Sequence, residues 1–222
     1  MAYQTQQAQA QFDAWSDSYD QSWLQAAFFR PSHELLFRHL HLRTGRLLDI
    51  GCGTGLFLAE VLVRCPGVEV VGLDLSEKMT AQAVRRLRTW PDRAAIVRGD
   101  SGRLPFRNDS FDAVTCSHSF HHYPDQERVV AEMHRVLRPG GRLLLIDGDR
   151  DRPLGWLIFE VYVPWKEGEV RHCSARQFRE LFRQAGFVNV HQYRRRLPIP
   201  FLLTLGTAAK EDTTQTRTVG AA

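Results

Sequence analysis

One short stretch does most to limit what this chain can fold into. Leu47-Leu48-Asp49-Ile50 reads as the end of a buried strand and passes directly into Gly51-Cys52-Gly53-Thr54-Gly55, which opens the helix-period segment Leu56 to Leu62. Strand, glycine turn and helix in that order are the start of a βαβ unit and the setting of a nucleotide-binding turn. Glycine lacks a Cβ, so it takes positive φ cheaply and lets backbone approach a ligand closely. The spacing is G-x-G-x-G, one residue shorter than the dinucleotide pattern G-x-G-x-x-G. A pyrophosphate gains from the free N–H groups of a helix N-terminus, whereas a ligand carrying a cationic sulfonium and an amino-acid moiety gains from a nearby carboxylate. Asp49 supplies one immediately before the first glycine.

The remainder of the chain continues the pattern. Apolar runs near 46–50, 68–73, 94–98, 112–116 and 142–147 read as strands covered on both faces, and they alternate with amphipathic segments. Val129, Val130, Met133, Val136 and Leu137 recur at helical spacing before Pro139-Gly140-Gly141. Ser174-Ala175-Arg176-Gln177 forms a capping box ahead of Phe178, Leu181, Phe182 and Ala185, with Gly186 as terminator. Two further strands are expected near 188–194 and 198–205. The result is an α/β, Rossmann-like domain over 43–209. A helical cap or lid is expected over 1–42, a cap insertion over 148–173 and a disordered tail over 210–222.

With 222 residues, 43% of them hydrophobic, one domain suffices. A net charge of +4, with basic residues dispersed apart from groups such as Arg194-Arg195-Arg196, predicts no nucleic-acid partner. Cys52, Cys65, Cys116 and Cys173 fit neither a C-x-x-C zinc pattern nor a disulfide framework, which points to a reduced, cytoplasmic setting. The first residues show no signal-peptide pattern, and no apolar run reaches membrane length, so stable membrane insertion is not expected.

Two more acidic residues end successive strands. Asp74 closes the second, near the offset at which a carboxylate accepts hydrogen bonds from both ribose hydroxyls. Asp100-Ser101 follows the third, where a carboxylate and a backbone N–H can read adenine, while Leu75 and Met79 are placed against the faces of its ring. Singly each could be an ordinary turn residue. Together they converge on the crevice where open α/β sheets bind ligands.

DIGCGTG, VVGLDLSEKM, GDSGRLPFRNDSFDAV and RVLRPGGRLLLID, in this order over residues 45–147, resemble the motifs of class I S-adenosylmethionine-dependent methyltransferases. The likeness is strongest to the small-molecule enzymes of the ubiquinone/menaquinone-biosynthesis type. That resemblance implies a seven-stranded, mostly parallel sheet with helices on both faces and a reversed last strand. It implies S-adenosylmethionine as cofactor, held by Gly51, Gly53, Thr54, Gly55, Asp74, Asp100, Ser101 and Ser117, with Tyr19 closing over the methionine end. The implied partner is a small-molecule methyl acceptor, taken up at carbon or oxygen.

Methyl transfer needs positioning and, for some acceptors, a proton acceptor. His121 and His122, in the loop after the fourth strand, and His172, in the cap, are candidates, set against a packing role for each. His118-x-x-His121-His122 lacks a fixed carboxylate partner, so no metal is expected. Asp147-Gly148-Asp149-Arg150-Asp151 opens like a calcium loop, but Arg152 and Ile158 occupy its glycine and glutamate positions, which favours a solvated acidic turn. The aromatic residues of the cap regions, among them Trp156, Phe159, Tyr162 and Trp165, are dense enough to line an apolar acceptor pocket. Rival readings are an RNA or protein methyltransferase, a nicotinamide-dependent oxidoreductase and a non-catalytic cofactor-binding partner subunit. The glycine spacing opposes the oxidoreductase, and the sequence lacks the Pro-Pro-aromatic, Pro-Cys and double-glutamate motifs of the macromolecular enzymes.

Overall fold

The computed structural model describes residues 29–195 and 199–209. Expectations for Tyr19, for most of the 1–42 cap, for the start of the last strand at 198 and for the 210–222 tail lie wholly or mainly outside these residues. Seven strands are present: β1 (Thr44–Ile50), β2 (Gly67–Asp74), β3 (Ala94–Arg98), β4 (Phe111–Ser117), β5 (Leu137–Gly148), β6 (Phe187–Arg195) and β7 (Phe201–Ala208). They form one sheet in the order β3-β2-β1-β4-β5-β7-β6. All pairings are parallel except those of β7, which runs antiparallel to both β5 and β6.

Successive residues of a strand point to opposite faces, so a strand covered on both sides must be apolar throughout. Leu47 and Leu48 illustrate this. Leu48 packs with the helices α4 (Gln126–Val136) and α7 (Ala175–Gln184) through Val130, Met133, Phe178 and Phe182. Leu47 packs with α1 (Arg30–Leu40) and α2 (Leu56–Arg64) through Leu36, Phe57 and Val61. Between β2 and β3 runs α3 (Glu77–Leu87), capped by Ser76, whose hydroxyl accepts from the Met79 N–H. The capping box of α7 is formed by Ser174 and Gln177 as the sequence indicated. After β5 a helical stretch of α5 (Pro153–Trp156), a π-helical turn (Leu157–Tyr162) and α6 (Val163–Glu167) builds the cap. No helix among the described residues is long and apolar enough to cross a membrane.

The cap differs from expectation in one respect. Phe159 is buried at 5% exposure, but Trp156, Tyr162 and Trp165 are 54%, 52% and 81% exposed and do not line an interior pocket among the described residues. The acidic turn after β5 also departs from its solvated reading. Asp147 and Asp149 are both buried, because His121 caps the first and Arg194 lies 3.5 Å from the second.

Candidate functional site

β1 pairs with β2 on one side and β4 on the other, and β2 and β4 leave it in opposite directions along the sheet. At such a switch point the connections diverge and open a crevice beyond the carboxyl ends of the strands. The cleft found there has an empty volume of about 820 Å³, its mouth included, and its walls come from the ends of β1 to β4.

Its floor is the glycine turn. Gly51, Gly53 and Gly55 all have positive φ, at 72°, 53° and 75°. The Gly51 and Cys52 N–H groups donate to the Leu73 carbonyl, which ties the turn to β2. A Cβ on Gly53 would meet nothing within 4 Å, so this glycine presents bare backbone to the cleft. A Cβ on Gly55 would lie 3.1 Å from that of Ala83, so this glycine is needed for α2 to pack on α3. Thr54 is likewise turned inward, its carbonyl and hydroxyl both accepting from Arg86 at 2.6 Å. Thr54 and Gly55 therefore shape the loop and do not line the cleft.

The three acidic residues differ in environment. Asp49 is 3% exposed and accepts from the Thr115 hydroxyl at 2.7 Å. Burial raises its carboxyl to about 7, the Thr115 hydrogen bond opposing and the charge of Asp74 adding to the shift. Asp74 reaches across the turn, its Oδ2 accepting from the Gly53 N–H and its Oδ1 from the Ser76 N–H, both at 2.9 Å. Asp100 closes a tight turn by accepting from the Gly102 N–H at 2.8 Å. Gly51, Gly53, Asp74, Leu75, Met79, Asp100, Ser101 and Ser117 all line the cleft, with Asp49 just beneath it. The Ser117 hydroxyl is buried without a hydrogen-bond partner among the described residues.

Sequence reading missed part of the opposite wall. Ser76, Gly99, Ser119, Tyr123 and Pro124 also line the cleft. Ser119 bonds to the Tyr123 hydroxyl at 3.0 Å and donates to the Ile50 carbonyl at 3.3 Å, holding the loop after β4 against β1. A serine and a tyrosine four residues apart carry no pattern that marks them beforehand.

Of the three candidate histidines, only His122 lines the cleft. His121, on the 3₁₀ turn Phe120–His122, is 8% exposed and gripped by Asp147, which accepts from its backbone N–H at 3.0 Å and from Nδ1 at 2.8 Å. Burial disfavours its charged form, but the charge and hydrogen bond of Asp147, helped by Glu167, prevail and raise it to about 9. Burial, with the charge of His121, pushes His122 well below its ordinary value and His172 down to about 4. The His172 ring stacks on that of His121, with centroids 4.4 Å apart. His118, whose pattern with His121 and His122 suggested no metal site, also lines the cleft and bonds through Nε2 to the Ser32 hydroxyl at 2.7 Å.

The cleft, the glycine turn and the strand-end carboxylates have counterparts in known proteins. Residues 48–145 match the model of a methyltransferase domain family. The demethylmenaquinone methyltransferase of Lactiplantibacillus plantarum is 31% identical over 211 residues, covering 82% of this chain and 88% of that protein. The 27-O-demethylrifamycin SV methyltransferase of Amycolatopsis mediterranei is 38% identical over 157 residues, 61% of this chain and 56% of its own length. A methyltransferase of Haloferax volcanii, solved with the Trm112 methyltransferase activator, shares the fold at a TM-score of 0.77 and 24% identity, over 92% of this chain and 98% of that one. With motif order, sheet topology and these relatives in agreement, the chain belongs to the class I S-adenosylmethionine-dependent methyltransferases of the menaquinone/ubiquinone-biosynthesis type.

Proposed function

We propose that the chain holds S-adenosylmethionine in the cleft at the ends of β1 to β4 and methylates a small apolar or aromatic acceptor at carbon or oxygen. The observation that carries this is Asp49, a buried carboxylate directly under the glycine turn whose side chain, among the described residues, accepts a hydrogen bond from the neutral Thr115 hydroxyl alone. A cationic ligand above it supplies the missing charge partner and draws it into its ionised form. In this reading the bare backbone of Gly53 and the unpartnered Ser117 hydroxyl border the amino-acid portion. Asp74 accepts from the ribose hydroxyls, Asp100 and Ser101 read the adenine edge, and Leu75 and Met79 pack on its faces. Tyr19 is assigned the methionine end from the family motif alone.

When bound, the sulfonium supplies a methyl group already activated for in-line displacement. The chain's part is to position the acceptor, exclude water and stabilise its nucleophilic form. His121, His122 and His172 are assigned to the acceptor side as orienting groups, with His121 tied to Asp147 and His172 stacked behind it. An acidic acceptor such as a phenol or an enol loses its proton without a dedicated base, and the relatives' names give demethylmenaquinone and 27-O-demethylrifamycin SV as the molecules they methylate.

The test is calorimetric titration with S-adenosylmethionine and separately with NADH, on the wild type and on Asp74→Ala. Binding of the methyl donor alone, lost in the variant, supports the reading and leads to a screen of phenolic and quinol acceptors by mass spectrometry. Absence of donor binding by folded protein would overturn it.

A further inference from the structure

Beside the cleft, on the acceptor side of the proposed reaction, the cap and the core meet at a cluster of donor atoms. His121 and His122 come from the 3₁₀ turn after β4, Glu167 ends α6, and His172 lies five residues beyond it. Glu167 Oε2 is 3.8 Å from His121 Nε2 and 3.5 Å from His122 Nε2. We infer that this cluster is a binding site for one divalent transition-metal ion, with His121 Nε2, His122 Nε2 and Glu167 Oε2 as its protein ligands and water completing the coordination.

Three independent features support it. The first is spacing: ligand atoms each about 2.0 Å from a tetrahedral metal lie about 3.3 Å apart, so small movements bring these three into place. The second is orientation. Asp147 accepts from His121 Nδ1, which fixes the tautomer and leaves Nε2 facing Glu167, the carboxylate–histidine arrangement that orients metal-binding imidazoles. The third is His172, 4% exposed, whose ring stacks on that of His121 with centroids 4.4 Å apart and holds it in place behind the ligand nitrogen.

Imidazoles with one carboxylate select zinc, cobalt, nickel or ferrous iron over magnesium and calcium. The simpler account is a protonated His121 lodged between Asp147 and Glu167. That account explains the two His121 contacts and leaves unexplained why His122 Nε2 lies 3.5 Å from the same Glu167 oxygen. Two ligands come from the core loop and one from the cap, so an ion here would fasten the cap across the acceptor side of the cleft. Gly148 already admits the Phe159 ring against β5, since a Cβ there would come within 2.6 Å of it, and the metal would be a second attachment for the same segment.

The experiment is titration of chelator-treated full-length protein with Co²⁺, read by visible absorption, and with Zn²⁺, read by calorimetry. The expected result is one ion per chain at a dissociation constant below about 10 µM, with the visible bands of a four-coordinate nitrogen–oxygen site and a higher melting temperature. Glu167→Gln and His122→Gln should each weaken Zn²⁺ binding at least tenfold while circular dichroism persists, and in Glu167→Gln, which lies outside the cleft lining, donor affinity persists as well. Asp147→Asn should weaken it about 10- to 100-fold. His39→Ala, which breaks a surface histidine pair with His41, should have no effect. No saturable binding, or binding lost in His39→Ala but retained in Glu167→Gln and His122→Gln, would overturn the site. Donor affinity measured on the same samples separates failure here from failure of the methyl-transfer reading.

Discussion

Removing the Asp74 carboxylate tests the cofactor assignment most directly. Its two oxygens offer about four lone-pair positions, of which the Gly53 and Ser76 N–H groups occupy two. In the proposed reading the same carboxylate also accepts from the two vicinal hydroxyls of a ribose. A hydrogen bond to a charged group contributes about 1.5–3 kcal/mol, so losing both costs about 3–6 kcal/mol. Asp74→Ala should therefore weaken S-adenosylmethionine and S-adenosylhomocysteine by about 10²- to 10⁴-fold. Asp74→Asn keeps the shape and one acceptor oxygen but turns an NH₂ toward one of the two backbone N–H groups. It should fall between, at about 10- to 100-fold, from the loss of one such bond. Both variants leave a donor of the turn unpaired, and because the cleft is open to water the stability loss should stay near about 1–2 kcal/mol. Calorimetry gives the affinities and denaturant unfolding the stability. An Asp74→Ala protein that is folded and binds within threefold of wild type would refute the ribose assignment.

Further outcomes follow from neighbouring residues. Gly53→Val should fold with only the cost of a side chain at positive φ, about 1–2 kcal/mol, yet lose donor binding, because its side chain enters the cleft. Gly55→Val should act the other way and lower the denaturation midpoint, because it presses on Ala83. Ionisation of Asp49 couples binding to pH. Its folded value of about 7 lies above the unfolded one, so its share of ligand-free stability is highest in acid and falls as pH rises to about 7. A cationic ligand needs the ionised form, so affinity should fall about tenfold per pH unit below 7 and level off above it. Calorimetry across pH 5.5 to 8 should show that slope in wild type and a flat profile in Asp49→Asn. Asp147→Ala leaves a buried imidazole without its carboxylate and should destabilise by about 3–5 kcal/mol, measured by chemical denaturation.

The parallel core was legible because each strand is a run of apolar residues bounded by turns, and the expected 46–50, 94–98 and 112–116 agree with β1, β3 and β4 to within two residues at either end. β5 begins five residues earlier than its apolar run, since Leu137 pairs with Phe111 ahead of the bulge between Phe111 and Ala113. Asp74 and Ser117 could be read because each ends a strand at a motif position, and Asp100 because its motif follows β3 directly. Ser119, Tyr123 and Glu167 could not, since their roles depend on loops that fold over the cleft from different parts of the chain. The buried state of Asp147 was hidden for the same reason: a run of aspartates looks solvated until the imidazole and guanidinium that meet it are known.

Strand β7 carries a consequence for how the chain is assembled and handled. It inserts between β5 and β6, yet it is the last of the three to be synthesised. Until Phe201 to Ala208 is available, β5 and β6 each present an unpaired edge, and β5 carries Leu143 to Ile146, all buried in the finished sheet. Exposed edges of that kind recruit other chains. A ribosome stall, a premature stop or a protease cut near residue 200 would therefore convert the protein into an aggregating species and not into a shortened enzyme.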